Sequence, residues 1–463
     1  MTRTLTSEAP KKRGERVQIA GWVDTRRDHG KIVFLDLRDR EGIVQVVFTP
    51  EAAQAYEALR AVRPEWVVQI EGMVQERPDK LKNAQIPTGG IEILAQSLTV
   101  LTQAKTLPLP INTDGYEIGE ETRLKYRYLD LRRKRLQRNL MIRHQGIQFI
   151  RNFLTQEGFC EIETPMISKS TPEGARDYLI PSRLYAGKFY ALPQSPQQYK
   201  QLLQVAGFER YFQIVRCFRD EDPRADRQPE FTQLDIEMSF IEQEDILQLL
   251  ERLYIQLVEK LFPEKHIQKI PFPRITYKES MEKWGSDKPD LRENKEDPNE
   301  LAFVWVLDFP AFEWKEQEKR WDAVHHPFTR PQANSIEEIK KDPGGALAHQ
   351  YDLALNGFEV AGGSLRVYDP TYLADIFEFM GNSREEIQAK FGHLLDAFEY
   401  GVPPHGGIAS GLDRLFSVLL GETSIREVMA FPKTGDARDL MMDAPSEVSE
   451  QQLKELHLRV SDQ

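Results

Sequence analysis

The sequence predicts an α+β protein in which a small N-terminal β-barrel precedes a larger domain of helices on an antiparallel sheet. Two patterns predict this class. Between Val17 and Val100, five short runs of alternating hydrophobic residues are separated by turn residues, as in consecutive strands. The rest of the chain mixes long helical patterns with strand patterns. The 463 residues are enough for two or three hydrophobic cores.

Composition limits what the protein can be. Hydrophobic residues make up 40% of the chain and charged residues 29%, which is typical of a folded globular protein. The net charge of -12 argues against a general coat for nucleic acid, so any RNA contact must be local. Cys160 and Cys217 show no pairing pattern, which fits a reducing compartment and excludes a cysteine zinc site. Without an apolar run of about 18 residues or a signal sequence, we expect a cytoplasmic protein that spans no membrane.

Five strands of this length suit a small closed barrel, and the oligonucleotide-binding barrel is of this kind. Strand count alone leaves an unrelated small β domain open. We place the barrel at residues 1–101, interpret the proline-punctuated stretch 102–122 as a linker, and place the second domain at 123–463. The second domain opens with a basic run, Arg123–Arg143, in which nine Lys and Arg residues stand against one acid, Asp130. This run is either a solvated helix face or a surface for phosphates.

A first group of candidate site residues lies in two strand patterns on either side of a charged loop, within Tyr211–Phe240. Alternation along the second strand puts Phe231, Gln233, Asp235 and Glu237 on one face. An aromatic ring, an amide and two carboxylates make a poor core but a good pocket wall. The first strand leads to Arg219, which suits a phosphate at the pocket rim because a planar guanidinium binds oxyanions with two hydrogen bonds. A structural network of ion pairs is the alternative.

A second group surrounds Asn356-Gly357, a dipeptide typical of two-residue hairpin turns. The turn pairs the flanking strands so that Asp352 and Glu359 fall on one face. Two close carboxylates favour a hard divalent cation, and Mg²⁺ bridging phosphates is the natural candidate. Arg366 is expected on the same face if no bulge intervenes at Gly362-Gly363. A surface hairpin with ordinary charges is the alternative.

Two helix starts complete the candidates. In LPQSPQQYKQLL, Ser195 and Gln198 are spaced as a capping box, and Gln197 and Lys200 share one face of the following helix. A lysine on such a helix has a function only if it points into a pocket.

The second helix start follows a glycine-rich stretch. In GVPPHGGIASGLDRLF, Gly406, Gly407 and Gly411 precede a helical pattern that begins near Leu412. Glycines there allow a ligand to approach the backbone closely, and Arg414 would lie in the first helical turn beside it.

Together these segments resemble the three motifs of class II aminoacyl-tRNA synthetases. EGFCEIETPMISKSTPEGARD, with Pro165, resembles motif 1; FRDE resembles the start of motif 2; GGIASGLDRL, with Arg414, resembles motif 3. The segments TPEGARD, QSPQQYKQLL, HHPFT, GFEVAGGSLR and MMDAPSEVS are most similar to the bacterial, aspartate-activating members. The resemblance covers nearly the whole chain. It implies that aspartate is activated with ATP to aspartyl-adenylate and transferred to the 3′ end of tRNA(Asp), by a homodimer.

The resemblance also implies roles for particular residues. Arg219 and Arg414 would be catalytic, through charge stabilisation at the reacting phosphate. Asp352 and Glu359 would hold Mg²⁺. The residues implied for ATP are Arg219, Glu221, Gln228, Phe231, Glu359, Gly411, Leu412, Asp413 and Arg414. Those implied for aspartate are Glu173, Gln197, Lys200, Arg219, Asp235, His325 and Arg366. No protein general base is implied for the transfer step.

In the barrel, the resemblance implies a surface that binds the tRNA anticodon. Phe34 would stack on a base, and Arg27 and Gln45 would hydrogen-bond base edges. His29 stands where enzymes strict for tRNA(Asp) tend to have leucine, and so resembles relaxed enzymes that also aspartylate tRNA(Asn). A neutral surface histidine is the alternative.

One departure and several rivals remain. Bacterial aspartate enzymes usually carry an inserted domain, whereas here Asp287–Pro310 joins the flanks almost directly and leaves a short polar loop at Asp290–Glu300. The rivals are an asparagine or lysine synthetase, an inactive RNA-binding paralogue and an amide-forming relative. Lys200 and Arg366 argue against lysine as the substrate, and neutral asparagine would leave these cations uncompensated. The last two rivals would be expected to lack the barrel or a motif arginine.

Overall fold

The computed structural model describes residues 2–170, 174–222 and 226–461. By their contacts these form two compact units, Met1–Pro110 and Ile111–Gln463. None of the helices in the described ranges is both long enough and apolar enough to cross a membrane.

The first unit is a closed five-stranded barrel with the strand order β1-β2-β3-β5-β4. Its strands alternate between buried and more exposed residues, as the sequence predicts, because one face of every strand lines the barrel core. The five-stranded barrel is therefore confirmed. A short helix between β3 and β4 was not predicted. The elements are β1 (Arg16–His29), β2 (Ile32–Arg38), β3 (Ile43–Phe48), α1 (Ala53–Leu59), β4 (Val67–Glu76) and β5 (Ile91–Thr102).

The second unit is built on an eight-stranded sheet with the order β12-β14-β17-β18-β19-β10-β9-β6. Its strands and those of three small two-stranded sheets are β6 (Cys160–Glu161), β7 (Leu179–Pro181), β8 (Phe189–Ala191), β9 (Arg210–Phe218), β10 (Glu230–Ser239), β11 (His266–Ile267), β12 (Arg274–Thr276), β13 (Glu300–Leu301), β14 (Phe303–Leu307), β15 (Phe312–Lys315), β16 (Arg320–Ala323), β17 (Gln350–Leu355), β18 (Phe358–Leu365) and β19 (His405–Gly411). Its helices are α2 (Glu120–Lys125), α3 (Arg127–Asp130), α4 (Lys134–Gln156), α5 (Gln197–Val205), α6 (Gln243–Leu261), α7 (Tyr277–Trp284), α8 (Ile336–Lys341), α9 (Pro370–Phe379), α10 (Arg384–Phe398), α11 (Leu412–Leu420) and α12 (Glu450–Glu455).

The large sheet has an antiparallel centre, which confirms the predicted class. Strands β14, β17, β18, β19, β10 and β9 pair antiparallel in turn. The edge strands differ from the prediction, because β12 pairs parallel with β14 and β6 pairs parallel with β9. Each edge strand is reached through a longer connection rather than a hairpin, which is how parallel pairs arise.

One face of the sheet packs on helices and the other face lines a cavity. On β10, Leu234, Ile236 and Met238 enter a core that also contains residues of α4, α6 and α11. The alternating residues Phe231 and Asp235 point to the opposite side, where they line the cavity. The alternation predicted for this strand is thus confirmed, and it decides which residues form the site.

Three arginines of the basic run at the start of the second unit form ion pairs inside the protein. Arg123, Arg127 and Arg133 are buried, and all three hydrogen-bond the carboxylate of Asp130, which is fully buried. Arg123 also pairs with Glu427, at 2.7 Å. The interpretation of these three arginines as phosphate contacts is therefore wrong, because each guanidinium is occupied by a partner in the fold.

The stretch 102–122 divides between the two units. The unit boundary follows Pro110, and the residues after it contact α4. Arg133 donates to the carbonyl oxygen of Thr113 at 2.9 Å. The Tyr116 hydroxyl donates to Glu422 at 2.8 Å, and the Arg135 guanidinium lies over the Tyr116 ring.

Candidate functional site

The second unit contains a cavity of about 580 Å³ on the free face of the central strands. Strands β10, β17, β18 and β19, helix α5 and the start of α11 all contribute to its wall. Of the residues implied by the resemblance, those that line the cavity are Gln197, Lys200, Arg219, Glu221, Gln228, Phe231, Asp235, His325, Asp352, Glu359, Arg366, Gly411, Asp413 and Arg414. The Leu412 side chain instead packs in the core. Glu173 lies outside the described residues.

Four buried charged residues at one end of the cavity form what we call the paired-charge cluster: Lys200, Asp235, Glu237 and Arg366. Lys200 Nζ lies 2.6 Å from Asp235 Oδ1 and 3.0 Å from Glu237 Oε2. Arg366 donates to both oxygens of Glu237, through Nε at 3.0 Å and through one Nη at 3.2 Å. Burial alone would raise the pKa of Glu237, but Arg366 and Lys200 lower this pKa to about 2. The cluster therefore pairs two basic side chains with two acidic ones.

This pairing corrects one argument drawn from the sequence. Lys200 and Arg366 were expected to stand uncompensated unless the substrate brought a negative charge. Instead, Asp235 and Glu237 pair with Lys200, and Glu237 pairs with Arg366 across a sequence separation of 129 residues. The positive charge of Lys200 and Arg366 therefore does not by itself argue against a neutral substrate.

The two neighbouring histidines take different places. His326 Nε2 lies 2.9 Å from an Nη of Arg366, and burial together with Arg366 lowers the pKa of His326 well below its usual value. A neutral His326 therefore accepts a hydrogen bond from Arg366. His325 lies beside Asp352, with 3.9 Å between Nε2 and Oδ2. Sequence reasoning selected His325 and missed His326, although both stand in the segment HHPFT.

At the opposite end of the cavity, two arginines lie among few partners. The Arg219 guanidinium stacks over the Phe231 ring at 5.1 Å, and its buried Nε has no hydrogen-bond partner among the described residues. Arg414 donates to the carbonyl oxygen of Glu359 at 2.7 Å and pairs with Asp226 at 3.2 Å. Its Nε is also buried without a partner in the described part of the chain. Both arginines thus keep a donor available for an anion.

Two of the residues implied for ATP have structural partners at this end. Asp413 accepts a hydrogen bond from the backbone N–H of Thr232 at 2.7 Å and pairs with Arg143. The Gln228 amide accepts from the N–H of Lys433 at 2.7 Å and donates to its carbonyl oxygen at 3.2 Å. These side chains hold the cavity wall in place through buried hydrogen bonds.

A third part of the cavity, which we call the acidic corner, contains Asp287, Asp352 and Glu359. The predicted hairpin turn is confirmed, since Asn356 and Gly357 both have positive φ, of 51° and 87°. A Cβ built on Gly362 would meet Asp352 Oδ1 at 2.9 Å and Glu359 Oε1 at 3.3 Å, so both carboxylates extend over one backbone position. Burial raises the pKa of Asp352 well above its usual range, and the charges of Glu359 and Asp287 raise it further.

The local geometry of β18 and α5 corrects two details. The register of β17 with β18 shifts between Leu353 and Ala354, so a bulge does intervene after Glu359. Glu359 and Arg366 are an odd number of residues apart and would face opposite sides of a regular strand; the bulge lets both line the cavity. The expected capping box is wrong, because Ser195 Oγ accepts from the N–H of Gln197 at 3.2 Å and the Gln198 amide is buried without a described partner.

In the barrel, the four residues implied for the anticodon lie on one face of neighbouring strands. Arg27 and Phe34 are directly paired across β1 and β2, and the His29 ring meets the Phe34 ring edge-on at 5.7 Å. Arg27 binds both oxygens of Asp36, at 2.6 and 2.9 Å, and reaches Gln45 at 3.3 Å. The pair with Asp36 fixes the guanidinium beside an aromatic ring, as in surfaces that bind single-stranded bases.

Comparison with known proteins agrees with this arrangement. Residues 119–435 match the family model described as tRNA synthetases class II (D, K and N), and residues 17–101 match the OB-fold nucleic acid binding domain. The chain belongs to the class II aminoacyl-tRNA synthetase family. It is therefore an aminoacyl-tRNA ligase that uses ATP, and its OB-fold domain precedes the catalytic domain in the sequence.

Among curated relatives, an aspartate--tRNA(Asp/Asn) ligase of Dehalococcoides mccartyi strain CBDB1 is 41% identical over 581 residues, which covers 96% of this chain and 97% of the relative. A protein of the same name from Rubrobacter xylanophilus is 43% identical over 568 residues, covering 96% and 94%. Both alignments are longer than this chain, so the relatives carry residues that it lacks. The place of this difference near Asp290–Glu300 stays a prediction.

Two solved structures share the fold. Asparaginyl-tRNA synthetase from Pyrococcus horikoshii, complexed with asparaginyl-adenylate, has a TM-score of 0.73 at 24% identity and covers 92% of this chain and 96% of that chain. Aspartyl-tRNA synthetase from Entamoeba histolytica has a TM-score of 0.72 at 24% identity, covering 93% and 91%. At this level of identity the likeness concerns the fold alone.

Proposed function

We propose that the protein is an aspartate–tRNA ligase that forms aspartyl-adenylate and transfers aspartate to the 3′ end of tRNA(Asp). One observation carries the proposal: three buried polar atoms without partners in the cavity match parts of an aminoacyl-adenylate. Asp235 Oδ2 is an unpartnered acceptor, and Arg219 Nε and Arg414 Nε are unpartnered donors, within the described residues. A buried acceptor suits the substrate ammonium, and buried arginine donors suit phosphate and carboxylate oxygens.

In this proposal the substrate lies along the cavity. The aspartate ammonium binds Asp235, and the side-chain carboxylate binds at Lys200 and Arg366, with Gln197 on the neighbouring helix turn. Arg219 holds the α-carboxylate against the α-phosphate of ATP, and Phe231 stacks on adenine, helped by Arg414. Glu221 and Gly411 line the nucleotide end, and Glu173, which lies outside the described residues, stays a prediction for the ammonium. Curated relatives at 41% and 43% identity, which are named for aspartate, support this choice of amino acid.

The reaction then needs mainly positioning and charge stabilisation. The α-carboxylate oxygen of aspartate attacks the α-phosphorus of ATP. The bond between this phosphorus and the oxygen that bridges it to the β-phosphate breaks, and pyrophosphate leaves. Arg219 stabilises the charge that builds up on the α-phosphate oxygens. The ribose hydroxyl at the 3′ end of the tRNA then attacks the activated carbonyl carbon and releases AMP.

The acidic corner fits a magnesium ion. No three His, Cys, Asp or Glu residues in the described part of the chain are arranged to hold a metal by themselves. Mg²⁺, however, is usually bound by one or two carboxylates together with substrate phosphates. Asp352 supplies a buried carboxylate and Glu359 an exposed one, and their like charges favour a cation between them. When bound there, Mg²⁺ would neutralise phosphate charge next to the reacting atoms.

The barrel surface of Arg27, His29, Phe34 and Gln45 would read the anticodon, and we propose that the enzyme charges both tRNA(Asp) and tRNA(Asn). The exposed His29 beside Phe34 supports this, as do the relatives named for both tRNAs. We further propose a homodimer, supported by the exposed apolar residues Leu179 and Phe189 on the β7–β8 hairpin. Neither Cys160 nor Cys217 forms a disulfide within the described residues, which supports a reducing compartment.

Charging of tRNA tests the proposal. Wild-type protein is expected to attach labelled aspartate to a tRNA(Asp) transcript, and Arg219→Ala is expected to lose at least a hundredfold in rate, which is the cost of about 2.7 kcal/mol for removing one preorganised donor. Arg216→Ala is the matched control, because Arg216 lies in β9, which ends just before Arg219, and its partly exposed side chain pairs with Glu230. Full activity of Arg219→Ala would contradict the proposed site.

A further inference from the structure

One polar group in the cavity is unexplained by the roles above. Gln350 is 5% exposed and lies at the start of β17, on the same strand face as Asp352. Its Nε2 donates to Asp352 Oδ1 at 2.7 Å. Its Oε1 is buried and accepts no hydrogen bond from the described residues. A buried acceptor without a partner costs about 1–3 kcal/mol, so a ligand that binds this oxygen would recover that cost.

The orientation of this amide follows from its neighbour. Because Nε2 donates to Asp352 Oδ1, the amide oxygen Oε1 faces away from that side chain. Gln350 lines the same cavity as Asp352 and Glu359. The Gln350 oxygen thus lies in the same cavity as the three carboxylates of the acidic corner.

This donor set matches a hard cation. Magnesium takes six oxygens in an octahedral arrangement and accepts carboxylates, amide oxygens, phosphates and waters. A hydrogen-bond donor such as the substrate ammonium would also satisfy Oε1, but the proposed ammonium site is at Asp235 on β10, which is separated from β17 by β18 and β19 in the sheet.

We propose that Gln350 Oε1 is an additional oxygen of the magnesium site, binding the ion directly or through one of its water ligands. The inference rests on the proposed function, which places Mg²⁺ at Asp352 and Glu359. Gln350 then has two roles: its amide N–H holds Asp352 in place, and its amide oxygen helps to bind the cation. Groups of this kind, next to a metal-binding carboxylate, typically change metal affinity by about 10–100-fold.

Manganese binding tests the inference without relying on activity. Bound Mn²⁺ is measured by electron paramagnetic resonance on the full chain, with and without a non-hydrolysable ATP analogue. Gln350→Met is expected to weaken Mn²⁺ binding about 10–100-fold. Gln248→Met is the matched control, because the Gln248 amide also donates to a carboxylate, at 3.0 Å from Glu244, but on an exposed face of α6. It should bind Mn²⁺ like the wild type.

Two further variants separate the possible outcomes. Asp352→Asn should lose Mn²⁺ binding; if it does while Gln350→Met binds normally, the inference about Gln350 fails and the proposed function stands. If both variants bind normally, the metal is elsewhere and the proposed site itself fails. Gln350→Glu keeps an oxygen at this position and should retain binding. If Gln350→Glu weakens binding as much as Gln350→Met, only the N–H matters and the inference is overturned. Gln350→Glu also decides the case if Gln350→Met does not fold.

Discussion

The paired-charge cluster and the acidic corner lie in one cavity but differ in how their charges are balanced: the cluster contains ion pairs, and the corner contains carboxylates that repel one another. In the cluster, Lys200 and Arg366 share Glu237, so the charges balance before any ligand binds. In the acidic corner, Asp352 and Glu359 face each other with Asp287 nearby, and burial with their mutual repulsion raises the pKa of Asp352. The first region is built to hold a fixed geometry, whereas the second depends on a ligand to bring positive charge.

The largest effect is expected in the cluster. Lys200→Met leaves Glu237 and Asp235 short of a partner and removes a donor for the substrate carboxylate. We expect kcat/KM for aspartate in ATP–pyrophosphate exchange to fall by about 3 kcal/mol or more, the scale of breaking a buried charge pair. Lys340→Met, in an exposed pair with Glu337, should change it by less than about 1 kcal/mol. Normal activation of aspartate by Lys200→Met would remove the cluster from the mechanism.

In the acidic corner we expect a smaller loss of activity and no loss of stability. Glu359→Gln should reduce pyrophosphate exchange by about 10–100-fold and leave tRNA binding intact, because only the cation site changes. Without Mg²⁺ the same variant should unfold at equal or higher denaturant concentration than the wild type, since one of two repelling carboxylates is gone. Loss of tRNA binding with normal exchange would place the metal elsewhere.

The contrast also shows what the sequence could and could not predict. Patterns of local origin were predicted well: the Asn356-Gly357 turn, the alternation that puts Phe231 and Asp235 in the cavity, and the helix beginning at Leu412. These depend on neighbours within a few residues.

Features that depend on distant partners were missed. The sequence could not show that Glu237 and His326 both hydrogen-bond Arg366. Nor could it show that the buried Asp130 accepts hydrogen bonds from three arginines. Each contact depends on strand register or helix packing between segments far apart in the chain, and the bulge after Glu359 adds a shift that alternation cannot predict.

The smallest effect concerns the barrel. The anticodons of tRNA(Asp) and tRNA(Asn) differ at one pyrimidine, and reading one base edge is worth only about 1–3 kcal/mol. His29 offers both a donor and an acceptor and so tolerates either base, whereas leucine offers neither. We expect the wild type to charge both transcripts and His29→Leu to prefer tRNA(Asp). Arg63→Leu, an exposed change elsewhere in the barrel, is the control. A wild-type preference above a hundredfold, or about 2.7 kcal/mol, would contradict this expectation.

The central claim is that this cavity selects aspartate through its second carboxylate, and one comparison tests it most directly. ATP–pyrophosphate exchange by the wild-type protein is measured with aspartate and with asparagine, which differ only at the group that faces Lys200 and Arg366. Because hydrogen-bond sites built for one partner reject its analogue strongly, we expect kcat/KM for aspartate to exceed that for asparagine by about 10⁴-fold. Equal values, or a preference for asparagine, would show that the paired-charge cluster does not read the substrate as described.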